Sequence, residues 1–126
     1  MWNMLLGFSL VGFGAFFGGC LRGMLGEVFN TEESPYPWGT LLANLIGCYL
    51  IGIITAMVAD KTLTNYANLW LSIGFCGGLT TFSTFSLEVY QQFLKRESHI
   101  AWSYWIGSTL LCLIFVFLGV FSHHIL

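Results

Sequence analysis

The strongest constraint on the fold of this chain is an uncharged run, residues 62–87, that holds a glycine pair and a cluster of hydroxyl side chains. An uncharged run of this length predicts a membrane-spanning helix. Directly after Gly77 and Gly78 come five Ser or Thr residues within seven positions, where a lipid-facing helix would carry apolar side chains. In hydrocarbon, a helix interrupted at these glycines is tolerated only where protein, water or an ion meets the freed carbonyls. The segment therefore predicts a broken helix at a binding or permeation site.

Composition places the whole chain in a membrane. Of its 126 residues, 56% are hydrophobic and 8% are charged, whereas soluble domains carry about 25% charged residues. The net charge of -2 offers no basic patch, which argues against nucleic acid as a partner. The sequence has no Walker loop, dinucleotide fingerprint, HExxH motif or nucleophile–base constellation, so it does not favour an enzyme.

Four apolar runs predict an all-α membrane protein with four transmembrane helices and a single membrane domain, residues 1–126. The spans are expected at about 3–25, 37–59, 69–94 and 100–122, and the third is expected to be broken near 77–80. The first residues lack the positive segment of a secretory signal, so the first run is expected to remain in the protein.

The loop charges leave the orientation in the membrane almost undecided. Four spans place both termini and Lys61 on one side, and Arg22, Lys95 and Arg96 on the other. One cation against three is a weak bias for the positive-inside rule. Insertion in both orientations is therefore expected to be possible. Two oppositely inserted copies can close into a dimer about a two-fold axis in the membrane plane.

Polar residues within the spans mark a route for an ion. After the break, helical periodicity places Phe82 and Phe85 on one stripe bracketed by hydroxyls. Asn44 lies inside the second span, where an amide either joins helices or lines a polar path; the hydroxyl-rich third span favours the path. Ser108 and Cys112 share a face of the fourth span and form a weakly polar line.

These groups favour an anion. Hydroxyl and amide hydrogens, together with the positive rim of an aromatic ring, stabilise negative charge. Cation pathways more often use rings of carboxylates or carbonyls. Glu88 opposes an anion route unless it lies at a pore mouth or is held by partners. The sequence therefore predicts a narrow path for a small anion.

Other notable residues have plain interpretations. Arg22 either snorkels to the interface or faces a water-filled vestibule. The four cysteines fall one per apolar run without CxxC spacing, and are expected to be small packing residues. His123 and His124, near the end of the fourth span, are expected to be solvated rather than to bind metal.

At these residues the sequence resembles the Fluc (CrcB) fluoride channels of bacteria. The resemblance rests on the segment Gly-Gly-Leu-Thr-Thr-Phe-Ser-Thr-Phe-Ser-Leu-Glu at 77–88, on Asn44 and on Arg22, and it extends over the whole chain. It implies a fluoride-selective channel of the cell membrane that exports fluoride passively. It also implies an antiparallel, dual-topology homodimer in membrane lipid, with two pores and a structural sodium ion at its centre.

The resemblance also implies roles for individual residues. The backbone carbonyls of Gly77 and Thr80 would coordinate Na+. The residues expected along the fluoride pathway are Asn44, Phe82, Phe85, Tyr104, Ser108 and Arg22. Cys112 departs from the pattern, because some relatives are expected to carry a hydroxyl there and a thiol is a weaker donor.

Two other classes of function remain open at this stage. A small proton-coupled exporter of the multidrug type also has four spans and sometimes dual topology, but it relies on an acidic residue in the first span, which this chain lacks. A non-transporting scaffold would explain the glycine-rich faces but not the hydroxyl cluster. A flux assay on the isolated protein separates this scaffold from the two transporters.

Overall fold

The computed structural model describes residues 2–126, which are almost entirely helical and contain no strand. Three helices are long: α1 (Trp2–Phe29), α2 (Trp38–Ala59) and α6 (Ser98–Ile125). Between α2 and α6 the chain forms four shorter elements, namely α3 (Asn65–Asn68), the π-helix π1 (Leu69–Cys76), α4 (Gly77–Leu79) and α5 (Phe82–Leu94).

The three long helices are each apolar and long enough to cross a membrane. The third predicted span, residues 69–94, corresponds to π1, α4 and α5, none of which crosses a membrane as one continuous helix. An all-helical membrane protein is therefore confirmed, with three continuous candidate spans and a segmented region between the second and the third.

The helix interruption lies at Thr80 and Thr81 rather than at the glycine pair. Thr80 (φ -83°, ψ 151°) and Thr81 (φ -150°, ψ 127°) are extended, whereas Gly77 retains helical angles. The helix through the glycines is needed for packing, because a Cβ at Gly78 would press against the α1 backbone at Ala15. The expected break is thus displaced to the residues that follow the glycines.

Glycines set how closely the helices approach. Gly14 and Gly18 are buried in α1, and a side chain at Gly18 would collide with the carbonyl of Phe75 in π1. In the same way, a Cβ at Gly52 of α2 would collide with the carbonyl of Val116 in α6. The two contacts join α1 to the segmented region and α2 to α6 at backbone distance, as small residues do between helices in membranes.

Short polar connections fix the helix ends. The loop between α1 and α2 is tied to α2 by Asn30, whose Oδ1 accepts a hydrogen bond from the Gly39 amide at 2.7 Å. Its Nδ2 donates to Thr40 Oγ1 at 3.3 Å. Between α5 and α6 the chain turns at Arg96 with a positive φ of 59°. These connections hold several of the charged residues, including Glu32, Glu33, Lys95 and Arg96.

Candidate functional site

The interruption between α4 and α5 is held open by one side chain of α2. The Thr81 amide donates to Asn44 Oδ1 at 2.9 Å, and Asn44 Nδ2 donates back to the Thr81 carbonyl at 3.3 Å. This pair of bonds replaces the helical partners that an extended residue lacks. Asn44 is only 9% exposed. Its side-chain amide bonds the backbone at the break and also borders the groove described below.

Thr81 also begins the next helix. Its Oγ1 accepts a hydrogen bond from the Thr84 amide at 3.2 Å, the usual bond of a helix N-cap. Two hydroxyls of the cluster at 80–86 are therefore structural at this point, because Thr80 Oγ1 in turn donates to the Cys76 carbonyl at 2.9 Å. The sequence pattern alone did not separate these capping hydroxyls from hydroxyls that face an ion.

The same bonds leave two carbonyls without their helical donors. In an unbroken helix, the amides of Thr81 and Thr84 would donate to the carbonyls of Gly77 and Thr80. Here those amides donate to Asn44 Oδ1 and Thr81 Oγ1. Gly77 is also exposed. These are the two carbonyls that the family resemblance implies as sodium ligands, and they lack their usual helical donors.

A groove of about 570 Å³ opens beside the break and brings four of the predicted pathway residues together. Its wall combines a few polar groups with apolar side chains from α2, α5 and α6. The predicted residues that line it are Asn44, Phe82, Phe85 and Ser108. The phenylalanine ring centroids lie 6.0 Å apart with planes inclined at 44°.

The two phenylalanines have opposite environments. Phe85 is 8% exposed and packs against Tyr104, with ring centroids 5.2 Å apart. Phe82 is 79% exposed and projects from the chain at the edge of the groove. One ring is therefore fixed in the protein core, while the other is available to whatever covers the groove.

Tyr104 lies behind the groove rather than on its wall. Its hydroxyl donates to Glu88 Oε2 at 2.9 Å, and the residue is 1% exposed. Thr40 Oγ1 donates to the other carboxylate oxygen, Oε1, at 2.6 Å. Glu88 is therefore held by hydroxyls from α2 and α6. The sequence analysis allowed a carboxylate near an anion route if partners hold it, and these hydroxyls are such partners. Sequence reasoning missed Thr40, because nothing local links it to Glu88.

Arg22 is not part of the groove. It lies on α1, one helical turn after Gly18, and is half-exposed. Within residues 2–126 its guanidinium forms no ion pair or hydrogen bond. The structure of one chain thus places Arg22 away from the other predicted pathway residues.

Sequence reasoning also missed Gly47 and Cys48, and it placed Cys112 on a polar line of the fourth span without linking it to Cys48. A Cβ at Gly47 would collide with the methyl group of Thr80, so a glycine fits best where α2 passes the break. Cys48 and Cys112 lie on the same wall. Their separation in the sequence hid their proximity.

Comparisons with known proteins identify a family and relatives that match most of this chain. A family model described as "CrcB-like protein, Camphor Resistance (CrcB)" matches residues 9–120. A fluoride-specific ion channel FluC from Bordetella avium is 43% identical over 122 residues, which cover 96% of this chain and 95% of the relative. One from a Pseudomonas aeruginosa strain is 42% identical over 125 residues, covering 97% and 94%. One from Mannheimia succiniciproducens is 36% identical over 121 residues, covering 95% and 93%.

Proposed function

Because this chain belongs to the CrcB family, we propose that it is a fluoride channel of the cell membrane, which lets fluoride leave the cell down its electrochemical gradient. The observation that carries the proposal is the groove beside the helix break, where the Asn44 amide and the rings of Phe82 and Phe85 converge. The resemblance drawn from residues 77–88 is confirmed at the level of the family.

The chemistry of the groove suits a small anion. Fluoride is tightly hydrated, so a pathway must offer donors in place of water and still release the ion. The rims of Phe82 and Phe85 carry partial positive charge and act as weak donors. Ser108 adds a hydroxyl from α6. Weak donors along an otherwise apolar wall favour passage over retention.

Glu88 does not serve an exporter driven by protons in this arrangement. Both of its carboxylate oxygens accept hydroxyl hydrogens, from Thr40 and Tyr104, and it does not line the groove. It borders a separate cavity of about 470 Å³ next to the loop between α1 and α2. A carboxylate at this position lies off the proposed anion route.

The functional unit is an antiparallel homodimer in which each chain has four spans, the third built from two half-helices. Gly77 and the Phe82 ring are exposed at membrane depth, where an unpaired backbone carbonyl would cost several kcal/mol. A second copy packed on this face would remove both groups from lipid. The weak charge bias, one cation against three, permits the opposite insertion that this pairing needs.

The carbonyls of Gly77 and Thr80 would hold a sodium ion between the two copies. Their helical donors are engaged elsewhere, and carbonyl oxygens are suitable ligands for a hard monovalent cation. When bound, Na+ would offset the repulsion of converging carbonyl dipoles and link the two breaks. Replacing Na+ by N-methyl-D-glucamine should lower the melting temperature of the dimer in detergent. An unchanged melting temperature would contradict the sodium site.

The channel itself is tested by efflux from proteoliposomes loaded with potassium fluoride. A valinomycin-triggered release recorded with a fluoride electrode is expected to be fast, and matched liposomes loaded with potassium chloride are expected to release little chloride. Equal release of both ions would mean a non-selective pore. Release of neither would remove the proposed function.

A further inference from the structure

Two cysteines from different helices lie on the wall of the groove. Cys48 belongs to α2 and Cys112 to α6, and both line the cavity. The two residues occupy neighbouring places on this wall, and Ser108, one helical turn before Cys112, also lines it. Both cysteines are reduced and half-exposed. They form a thiol pair rather than the isolated packing residues that the sequence predicted.

The backbone holds this pair together. Gly52 of α2 contacts the backbone of α6 at Val116, and Gly119 of α6 contacts the backbone of α2 at Tyr49. Cys48 lies one helical turn before Gly52, and Cys112 lies one turn before Val116. Because α2 and α6 run in the same direction, the two thiols arrive at the same level. Their proximity therefore follows from the closest contact between these helices.

The chemistry of the pair selects a particular class of ligand. Thiolates are soft ligands that favour monovalent copper and related metals. Within residues 2–126 no cluster of three or more His, Cys, Asp or Glu is arranged to hold a metal ion, which disfavours a tetrahedral zinc site. Two thiolates alone suit cations that accept two-coordinate binding, such as Cu+ and Ag+.

We propose that Cys48 and Cys112 form a binding site for a soft, two-coordinate monovalent metal ion, and that its occupancy blocks the fluoride pathway. Each thiol gives up one proton to water and forms one sulfur–metal bond, with no change in oxidation state. Two thiolates and one monovalent cation carry a net charge of -1. The complex would therefore obstruct the groove sterically and repel an approaching anion.

Metal binding is tested separately from transport. The proposed block of fluoride efflux rests on the proposed channel function, whereas metal binding by Cys48 and Cys112 does not. The probe is Ag+ as its nitrate, titrated in chloride-free detergent solution into the Cys20→Ser variant, which lacks the exposed cysteine of α1. Binding is followed by protection of thiols from a maleimide. We expect one Ag+ per chain and two protected thiols. Adding either Cys48→Ser or Cys112→Ser should weaken binding by about 100-fold, since one of two sulfur ligands is lost.

Cys76 provides a matched control for the binding assay. It is fully buried and does not line the groove, so Cys76→Ala in the Cys20→Ser background should bind Ag+ as before. Unchanged Ag+ affinity after removal of Cys48 or Cys112 would overturn the site.

The block is tested by fluoride efflux in nitrate buffers. Ag+ at a concentration that saturates the pair should stop efflux through the Cys20→Ser protein. Efflux through variants that also lack Cys48 or Cys112 should continue, each compared with its own rate before Ag+. Ag+ that binds the pair without slowing efflux would overturn the block. A protein that binds Ag+ but never conducts fluoride would support the site and contradict the proposed function.

Discussion

Phe82 and Phe85 share a helical stripe but differ in burial, so a substitution at Phe85 changes stability much more than one at Phe82. Phe85 is 8% exposed and packs on Tyr104, so truncating it would leave a cavity and cost about 3–5 kcal/mol of stability. Phe82 is 79% exposed and can be changed without opening the core of the chain. Phe82 is therefore the position at which a pathway ring can be tested with little effect on folding.

Phe82→Ile removes the ring edge and keeps an apolar side chain. We expect fluoride efflux from proteoliposomes to fall at least about tenfold, which corresponds to about 1.4 kcal/mol of lost stabilisation of the passing ion. Phe117→Ile is the matched control, because Phe117 is 71% exposed on α6 and does not line the groove. Equal efflux through the two variants would show that the Phe82 ring takes no part in conduction.

Asn44→Asp replaces the side-chain nitrogen of the amide that bonds Thr81 at the helix break by an oxygen. The carboxylate can still accept from the Thr81 amide but cannot donate to the Thr81 carbonyl, and it places a negative charge beside the groove. Fluoride efflux should fall about 100-fold or more, because a like charge next to a narrow path raises the barrier by at least about 2.7 kcal/mol. Asn65→Asp adds the same charge at an exposed residue and should conduct normally. Normal efflux through Asn44→Asp would contradict the assigned route.

At the scale of elements, the sequence predicted a third span broken near residues 77–80, and the structure is extended at the end of that range. Glycines are local signals, so the break was expected at the pair itself. The structure keeps Gly77 and Gly78 helical and extends Thr80 and Thr81 instead. The decisive partner is Asn44, from another helix. A tertiary hydrogen bond of this kind has no signature in the local pattern.

The same limit applies to the site. The period of α5 correctly grouped Phe82 with Phe85, since that relation is local to one helix. Tyr104 was expected to face the path, but a carboxylate from α5 takes its hydroxyl. The proximity of Cys48 to Cys112 depends on how two helices align, which only the packed structure reveals.

Gly47 offers a test of how α2 fits against the break. Gly47→Ala places a methyl group against Thr80 Cγ2 and should cost about 1–3 kcal/mol, measured as a lower melting temperature in detergent. Thr80→Ser deletes that Cγ2 and retains the hydroxyl that bonds the Cys76 carbonyl. The double variant should therefore recover most of the loss. Gly12→Ala, which meets no neighbour within 4 Å in this chain, should not lower the melting temperature, because Ala favours a helix more than Gly does. A double variant no more stable than Gly47→Ala would refute this contact.

At the scale of the whole molecule, one chain presents an incomplete site. The groove is open, Phe82 projects from it, and exposed Gly77 lies at the break. Arg22 lies outside the groove of its own chain, so any role in the same pathway would have to come through another copy. The antiparallel homodimer that we propose would cover this face with a second copy of the same chain.

Opposite insertion can be tested by forcing each copy into one orientation. One variant moves positive charge to the side of the termini and leaves three cations there against one, by Thr62→Lys, Asn65→Lys, Lys95→Gln and Arg96→Asn. The other variant, with Lys61→Asn and His99→Lys, has four cations on the side opposite the termini and none on the side of the termini. Asn replaces Lys61 and Arg96 because both have a positive φ, which Asn tolerates.

Each orientation variant expressed alone should give little fluoride efflux, since all copies insert in one sense and cannot form the antiparallel pair. Co-expression should restore efflux, because the two variants supply both orientations and every substituted residue lies in an exposed position. The measurement is efflux from vesicles prepared from cells that express one or both variants, normalised to the amount of protein. Charge changes that merely damage the protein would reduce efflux in the co-expressed sample as well. Full efflux through either variant alone, once its single orientation is verified by labelling an engineered loop cysteine, would exclude the antiparallel dimer.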